Sequence, residues 1–197
     1  MDSFHRHKTN RHLVEVLTRH EVTFLLNHSD NLKHRAIIET LYSSGMRVSE
    51  CVSLIFSDLD RREMLIHVRN AKGGKDRYTK LSPCCLETLE KYYRAFRPRQ
   101  WLFEGHGGKP LSSHMAQIAV SNAAKRAGIK KAITPHVLRH TFATHFLETD
   151  GRLPVLQQIL GHEHIRTTVR YIHVCNDLIR SVKSPLDLLH SEEVHNG

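Results

Sequence analysis

The sequence contains few of the features that mark secreted, membrane-spanning or disordered proteins. Its four cysteines (Cys51, Cys84, Cys85 and Cys175) form no CxxC pair and no disulfide framework, which is typical of a reducing cytoplasm. No apolar run approaches the roughly 18 residues of a membrane helix. The polar, basic start MDSFHRHKTNRH lacks the apolar stretch of a secretory signal. With 40% hydrophobic and 25% charged residues, we expect a soluble, folded protein.

Acidic residues are scarce relative to basic ones. The chain has 20 Asp and Glu against 29 Lys and Arg, a formal net charge of +9 before its 17 histidines are counted. Such an excess favours binding to a polyanion, most often nucleic acid. A basic surface that is merely solvated explains the same charge, so composition alone leaves both interpretations open.

The length of 197 residues fits one domain. We expect residues 1–17 to be a basic, flexible segment, followed by a mostly helical (α+β) domain. Thr18 and Glu21 form the capping box of a first helix. Runs of β-prone residues at 64–68 and 77–81 predict an antiparallel hairpin or three-stranded sheet near residues 60–82. Caps and apolar spacing predict the other helices, at about 32–44, 47–54, 83–96, 113–126, 135–148, 153–160, 165–172 and 176–189.

Two basic residues lie at the start of the helix that follows Thr134. His136 and Arg139 are three residues apart and therefore share one helix face, beside free backbone N–H groups and the positive end of the helix dipole. A phosphate placed there would meet guanidinium, imidazole and amide donors. An exposed basic helix start is the ordinary alternative.

Arg47 begins another helix after the break at Gly45. Glu50, one turn later, either orients Arg47 or forms an ordinary surface ion pair with it. The predicted hairpin tip carries Lys72 and Lys75 beside two glycines, and a lysine there either reaches a ligand or is only solvated. The tip is not a Walker A loop, because no glycine lies five residues before its GK pair.

The many histidines do not predict a metal site. The pairs His136/His140 and His162/His164 lack the further ligands of a zinc centre, and no HExxH or cysteine pair is present. Tyr171, beside an isoleucine, is by itself typical of a packed aromatic residue.

Taken together, these positions form an ordered set that resembles the active site of the tyrosine recombinase (phage integrase) family. The set is Arg47, Lys72, His136-x-x-Arg139, His162 and Tyr171. The surrounding segments GMRVSE, AKGGKDR, PHVLRHTFATH, LGHEHIRTT and RYIHV are similar as well. The spacings of 23 residues from Arg139 to His162 and nine from His162 to Tyr171 match the Xer and integron-integrase branches. The resemblance covers residues 18–175, which would form the catalytic domain.

The resemblance implies an enzyme that cuts DNA with Tyr171 as nucleophile and leaves a 3′-phosphotyrosyl bond and a free 5′-hydroxyl. Because a phenol has a pKa near 10, it needs a base and nearby positive charge. His136 would be the general base and acid, and Lys72, rather than Lys75, would protonate the leaving 5′ oxygen. The phosphate would be bound by Arg47, Arg139 and His162, with Glu50 supporting Arg47. Neither a metal, a cofactor nor ATP is expected, because cationic side chains stabilise the charge.

Double-stranded DNA is the implied partner, in the cytoplasm of a prokaryotic cell. The residues expected to bind its phosphates are Lys75, Arg77, Lys125 and Arg126. We expect a homo-oligomer, dimer to tetramer, on DNA. Residues 176–197 form an apolar helix or tail that is either exchanged between protomers or packed on its own domain.

Family members usually carry an N-terminal DNA-clamping domain, and about 17 residues precede the similar region here. The chain is then a catalytic fragment, a minimal recombinase, or an enzyme that needs an accessory protein in place of the core-binding domain.

Two other functions remain open. One is a type IB topoisomerase-like activity, which nicks and reseals a single strand with the same chemistry. The other is a DNA-binding regulator that retains the fold. The complete set of six residues argues against the regulator, because regulation has no use for a spaced tyrosine and lysine.

Overall fold

The computed structural model describes residues 15–69, 76–149 and 152–161, and within them the chain is mostly helical, as predicted. The described helices and strands, in chain order, are α1 (Arg19–Asn27), α2 (Leu32–Ser44), α3 (Val48–Val52), β1 (Leu59–Asp60), β2 (Leu65–Val68), β3 (Arg77–Lys80), α4 (Pro83–Phe96), α5 (Ser113–Arg126), α6 (Pro135–Glu148) and α7 (Leu153–Leu160). Short 3₁₀ turns lie at Phe56–Asp58 and His106–Gly108. The helices predicted at 165–172 and 176–189 and the Gly73-Gly74 turn lie outside the described residues.

The helix ends follow the capping signals of the sequence. The Thr18 hydroxyl accepts from the Glu21 amide while Glu21 accepts from the Thr18 amide, which confirms the capping box. α6 begins at Pro135 after the Thr134 cap, so the first turn of this helix, which carries His136, starts where predicted.

Gly45 ends α2 in the left-handed conformation, with φ of 63°. A Cβ atom at this position would lie 2.2 Å from Cδ1 of Phe142 on α6, so only glycine allows α2 to end this close to α6. The close approach places the segment before α3 directly against α6.

The sheet is antiparallel in the order β1–β2–β3. Ile66 of β2 pairs with Leu59 of β1 on one side and with Thr79 of β3 on the other. The predicted hairpin strands are confirmed to within one residue at their ends. The described parts of β2 and β3 stop at either side of residues 70–75, which include Lys72 and Lys75.

The core has a larger and a smaller part. α2 lies at the centre of the larger part, with every residue from Ala36 to Leu41 buried, and packs against α4, α5 and α6. A smaller apolar cluster joins α6 to α7 through Phe142, Leu156 and Leu160. α7 also packs against β3, so the end of α7 lies beside the sheet. Among the described residues, no helix is both long and apolar enough to cross a membrane.

Candidate active site

Arg47 is the N-cap of α3 and has an extended backbone. The helix predicted over 47–54 is therefore shorter at both ends, since α3 starts one residue later and ends two residues earlier. At its start the Glu50 carboxylate satisfies the Arg47 amide, with Oε2 accepting at 2.7 Å. Glu50 Oε1 also accepts from Arg47 Nη1 at 3.0 Å. The Arg47 side chain keeps 32% of its surface exposed, so its position is fixed while solvent, or a ligand, still reaches it.

The Glu50 carboxylate is buried, whereas the carboxylate of an ordinary surface ion pair would be exposed. Only 8% of its side chain is exposed, and both of its oxygens accept a second time, from Arg77 Nη1 at 2.8 Å and Nη2 at 2.7 Å. Burial raises the pKa of Glu50, but hydrogen bonds from Arg77 and from the Arg47 amide outweigh burial and hold the pKa below its ordinary value. Glu50 is therefore an ionised carboxylate that orients Arg47, the first of the two interpretations that the sequence left open.

Arg77 was predicted to bind DNA, and the structure places its side chain inside the protein. Besides its two bonds to Glu50, it donates from Nε to the Ile159 carbonyl at 2.8 Å. Its side chain is 9% exposed. Because all three nitrogens of this guanidinium donate inside the protein and two of them bind a carboxylate, the arrangement favours a positioning role for Arg77 over a phosphate contact. The sequence gives no local sign of this role, since Ile159 is 82 residues away.

Arg139 is also buried, and it joins two parts of the chain that precede other candidate residues. It donates from Nη1 to the Gly45 carbonyl and from Nη2 to the Leu160 carbonyl, both at 2.7 Å. Gly45 lies two residues before Arg47, and Leu160 lies two residues before His162 in the sequence. Arg139 thus fixes the segment that carries Arg47 against the end of α7.

His136 lies exposed in the first turn of α6, on the same helix as Arg139. Its Nε2 atom is 2.7 Å from Nε2 of His140, which is buried, and the rings meet edge to face. At this distance one Nε2 atom donates a hydrogen bond and the other accepts it. This role of His140 is not among the predictions above, where His140 is considered only as a metal ligand, although the i,i+4 spacing of the two histidines indicates the contact.

The other candidate residues lie in different places. Lys72, Lys75, His162 and Tyr171 are outside the described residues and stay predictions. Lys125 is exposed near the end of α5 and, with His114, Lys130 and Lys131, lines a groove of about 580 Å³ that extends to Thr134, the cap of α6. Arg126, beside it, donates to the His28 carbonyl at 2.9 Å and pairs with Asp30.

The described residues thus bring Arg47, Glu50 and Arg139 together around the end of α2, with His136 in the first turn of α6. No three described His, Cys, Asp or Glu side chains cluster in a way that could hold a metal ion. The arrangement offers two guanidinium groups held by a carboxylate and by backbone carbonyls, with an exposed imidazole on the same helix as one of them. Such a site can bind a phosphate and stabilise added negative charge.

Known proteins have similar sequences and a similar fold. XerD, a tyrosine recombinase of Corynebacterium glutamicum, is 34% identical over 186 residues, which cover 87% of this chain and 61% of XerD. The crystal structure of XerA recombinase matches with a TM-score of 0.73 and 30% identity, over 92% of this chain and 65% of XerA. The chain thus spans less than two thirds of the length of these relatives.

A structure of a lambda integrase dimer bound to a core site shares the fold, with a TM-score of 0.65 and 21% identity over 78% of this chain and 59% of that one. Residues 15–177 of this chain match the phage integrase family. The matched range includes all six residues of the ordered set identified in the sequence. In the described part of the site, the buried carboxylate of Glu50 and the guanidinium groups of Arg47 and Arg139 lie around the end of α2. The chain therefore belongs to the phage integrase family, the tyrosine recombinases.

Proposed function

We propose that this protein is a site-specific DNA recombinase that cuts and rejoins strands through a 3′-phosphotyrosyl intermediate. The observation that carries the proposal is the pair of fixed guanidinium groups. Arg47 is held by Glu50, and Arg139 is held by two carbonyls, one of which lies just before Arg47. Cations fixed in advance stabilise a charged transition state without the cost of reorganising during the reaction.

In the first step, the Tyr171 phenol oxygen attacks the phosphorus of a DNA phosphodiester, and the bond from phosphorus to the 5′ oxygen breaks. His136 takes the phenol proton, and Lys72 gives a proton to the departing 5′ oxygen. In the second step, the 5′-hydroxyl of a partner strand attacks the phosphotyrosine and gives its proton to Lys72, while the bond from phosphorus to the tyrosine oxygen breaks and Tyr171 recovers its proton from His136. The resemblance supplies these roles, and the exposed first turn of α6 is consistent with the role of His136.

The non-bridging oxygens gain charge during both steps. Arg47, Arg139 and His162 would donate hydrogen bonds to them, with the arginines offering planar pairs of donors. Because the phosphotyrosyl bond retains the free energy of the cut bond, the scheme needs no ATP, and the cations fill the role that metal ions have in other phosphoryl transfers.

The proposed substrate is double-stranded DNA, and the net charge of +9 favours it. Part of this charge lies along the groove beside α5, because Lys125 and Lys130 line a surface that ends at the cap of α6. Lys131 also lines the groove, but its ammonium is paired with Glu21. We propose Lys125, together with Lys75, as contacts to the phosphate backbone. Arg126 already pairs with Asp30, so it would contribute less.

Recombination joins two DNA sites, and we propose that it requires an oligomer of this chain on DNA, from dimer to tetramer. The lambda integrase that shares the fold was crystallised as a dimer on DNA. We also propose that a core-binding domain or an accessory protein takes part in clamping the DNA. Residues 176–197 are proposed to link neighbouring protomers.

The test is covalent capture on a nicked duplex taken from the DNA that flanks the gene and carries its inverted repeat. The wild type is expected to form a protein–DNA adduct that resists denaturant, and Tyr171→Phe none. An equal adduct from Tyr171→Phe, or none from a wild type that binds the duplex, contradicts the proposal. Joining of strands from two duplexes supports recombination, whereas relaxation of a supercoiled, covalently closed circle by a single protomer indicates the topoisomerase-like activity.

A further inference from the structure

Arg77 has a position that the reaction scheme above does not use. It opens β3, at the end of the hairpin that carries Lys72, and its guanidinium reaches two other parts of the chain. Two of its nitrogens bind both oxygens of Glu50, and the third binds the Ile159 carbonyl near the end of α7.

Gly161, the residue after α7, packs directly on Arg77. A Cβ atom at Gly161 would lie 2.9 Å from Arg77 Cδ and 3.1 Å from Nε. The end of α7 is therefore shaped around the Arg77 side chain, and His162 is the next residue along the chain.

The nearby pair of Arg69 and Asp58 is a useful comparison, because it has similar hydrogen bonds but differs from Arg77 and Glu50 in burial and in the groups that it holds. Arg69 follows Val68, the β2 residue that pairs with Arg77. It binds Asp58 from Nε at 2.9 Å and from Nη2 at 3.0 Å, and Asp58 accepts from the Ile55 amide as Glu50 accepts from that of Arg47. The local chemistry is the same. However, the Arg69 side chain is 42% exposed, against 9% for Arg77, and its pair holds neither Arg47 nor α7.

We propose that Arg77 is a positioning residue for strand cleavage, which fixes Glu50, and through Glu50 the Arg47 guanidinium, to the end of α7 that precedes His162. The inference rests on the proposed function and deepens it, since it adds a residue that acts through Arg47 without touching DNA.

The planar guanidinium is essential to this role. A lysine at position 77 keeps the charge beside Glu50, but a single ammonium cannot bind both carboxylate oxygens and the Ile159 carbonyl in one plane. Glu50 and Arg47 would then shift relative to α7. Because small misplacements of reacting groups cost about 10²-fold in rate, we expect Arg77→Lys to cleave about 10²-fold more slowly while binding DNA as the wild type does.

The experiment measures the rate of adduct formation and the affinity for the nicked duplex in the full chain, for the wild type, Arg77→Lys and the matched control Arg69→Lys. A slow Arg77→Lys with unchanged affinity and a control at the wild-type rate support the inference. Equal rates in the wild type and Arg77→Lys, or an equal loss in Arg69→Lys, overturn it. Absence of any adduct from the wild type overturns the proposed function and the inference with it.

A double variant shows whether Arg77 acts by positioning Arg47 or by a general effect on the structure. If Arg77 acts through Arg47, the double variant Arg47→Lys/Arg77→Lys cleaves at about the rate of Arg47→Lys alone, whereas multiplying losses overturn the inference. If Arg77→Lys does not fold, Glu50→Gln/Arg77→Met replaces it, because removing both charges of a buried pair spares stability. Because Arg77 acts through Glu50, that variant is expected to cleave as slowly as Glu50→Gln alone, and a further loss or a wild-type rate overturns the inference.

Discussion

At the scale of single residues, Glu50 decides how the site is built. Its carboxylate is buried among hydrogen bonds from Arg47 and Arg77, and it is needed in the charged form. A surface glutamate at this position would leave the Arg47 side chain free to adopt many rotamers. The cost of burying the charge is offset by two cationic partners, so removing the charge leaves those partners uncompensated.

We therefore expect Glu50→Gln to lower the free energy of unfolding by about 3 kcal/mol at pH 7. Because hydrogen bonds hold the pKa of Glu50 below its ordinary value of 4.5, its contribution is fully present above that value. It is lost as the pH falls through the lower pKa of the folded state. Denaturant unfolding at several pH values checks this prediction. A stability difference between the wild type and Glu50→Gln that grows below pH 4.5 would contradict it.

At the scale of elements, the close approach of α2 and α6 depends on one glycine. Gly45 combines a left-handed backbone with a missing side chain that would strike Phe142. This approach allows Arg139 on α6 to bind the Gly45 carbonyl.

Gly45→Ala is expected to destabilise the protein by more than the approximately 1–2 kcal/mol of left-handed strain, because the Phe142 ring must also move, at a further cost of about 1–3 kcal/mol. Gly128→Ala is the matched control, since its φ is 67° and no atom lies within 4 Å of an added Cβ. Thermal unfolding of both variants distinguishes the two costs, and equal effects would show that the Phe142 contact is unimportant.

The groove along α5 gives a second prediction at this scale. Lys125→Gln is expected to reduce the slope of log affinity against log salt by about 1, as for the loss of one phosphate contact. Lys91→Gln, exposed on α4 and outside the groove, is the control. Titration of a labelled duplex at several salt concentrations measures both slopes. An unchanged slope for Lys125→Gln would place the DNA elsewhere.

The sequence predicts an element well when the residues that define it are close together in the chain, and poorly when they are far apart. α4 and α6 were predicted to the residue because their prolines and caps are local signals. β1 has two residues and no alternating pattern, so only pairing with β2 defines it. In the site, Arg47 and Arg139 were found from an ordered motif. The internal role of Arg77 was not, because it arises from contacts 27 and 82 residues away.

At the scale of the whole molecule, the excess of basic residues predicts how DNA binding responds to ionic strength. Phosphate contacts release counterions, so affinity falls steeply as salt rises, by about 10³–10⁵ between 50 and 200 mM for a protein that makes 6–10 such contacts. Fluorescence anisotropy with a duplex across this range measures the effect. An affinity that stays constant would show that the net charge of +9 is only solvated surface.

The hydrogen bonds from two arginines to the last carbonyls of α7 affect how readily the end of this helix unfolds locally. The last carbonyls of a helix ordinarily lack partners within it, and frayed helix ends open readily in hydrogen exchange. Here the carbonyls of Ile159 and Leu160 are held by Arg77 and Arg139, which belong to the sheet and to α6. We expect the final turn of α7 to exchange its amide protons together with these elements, as part of one cooperative unit, and not as a fraying end.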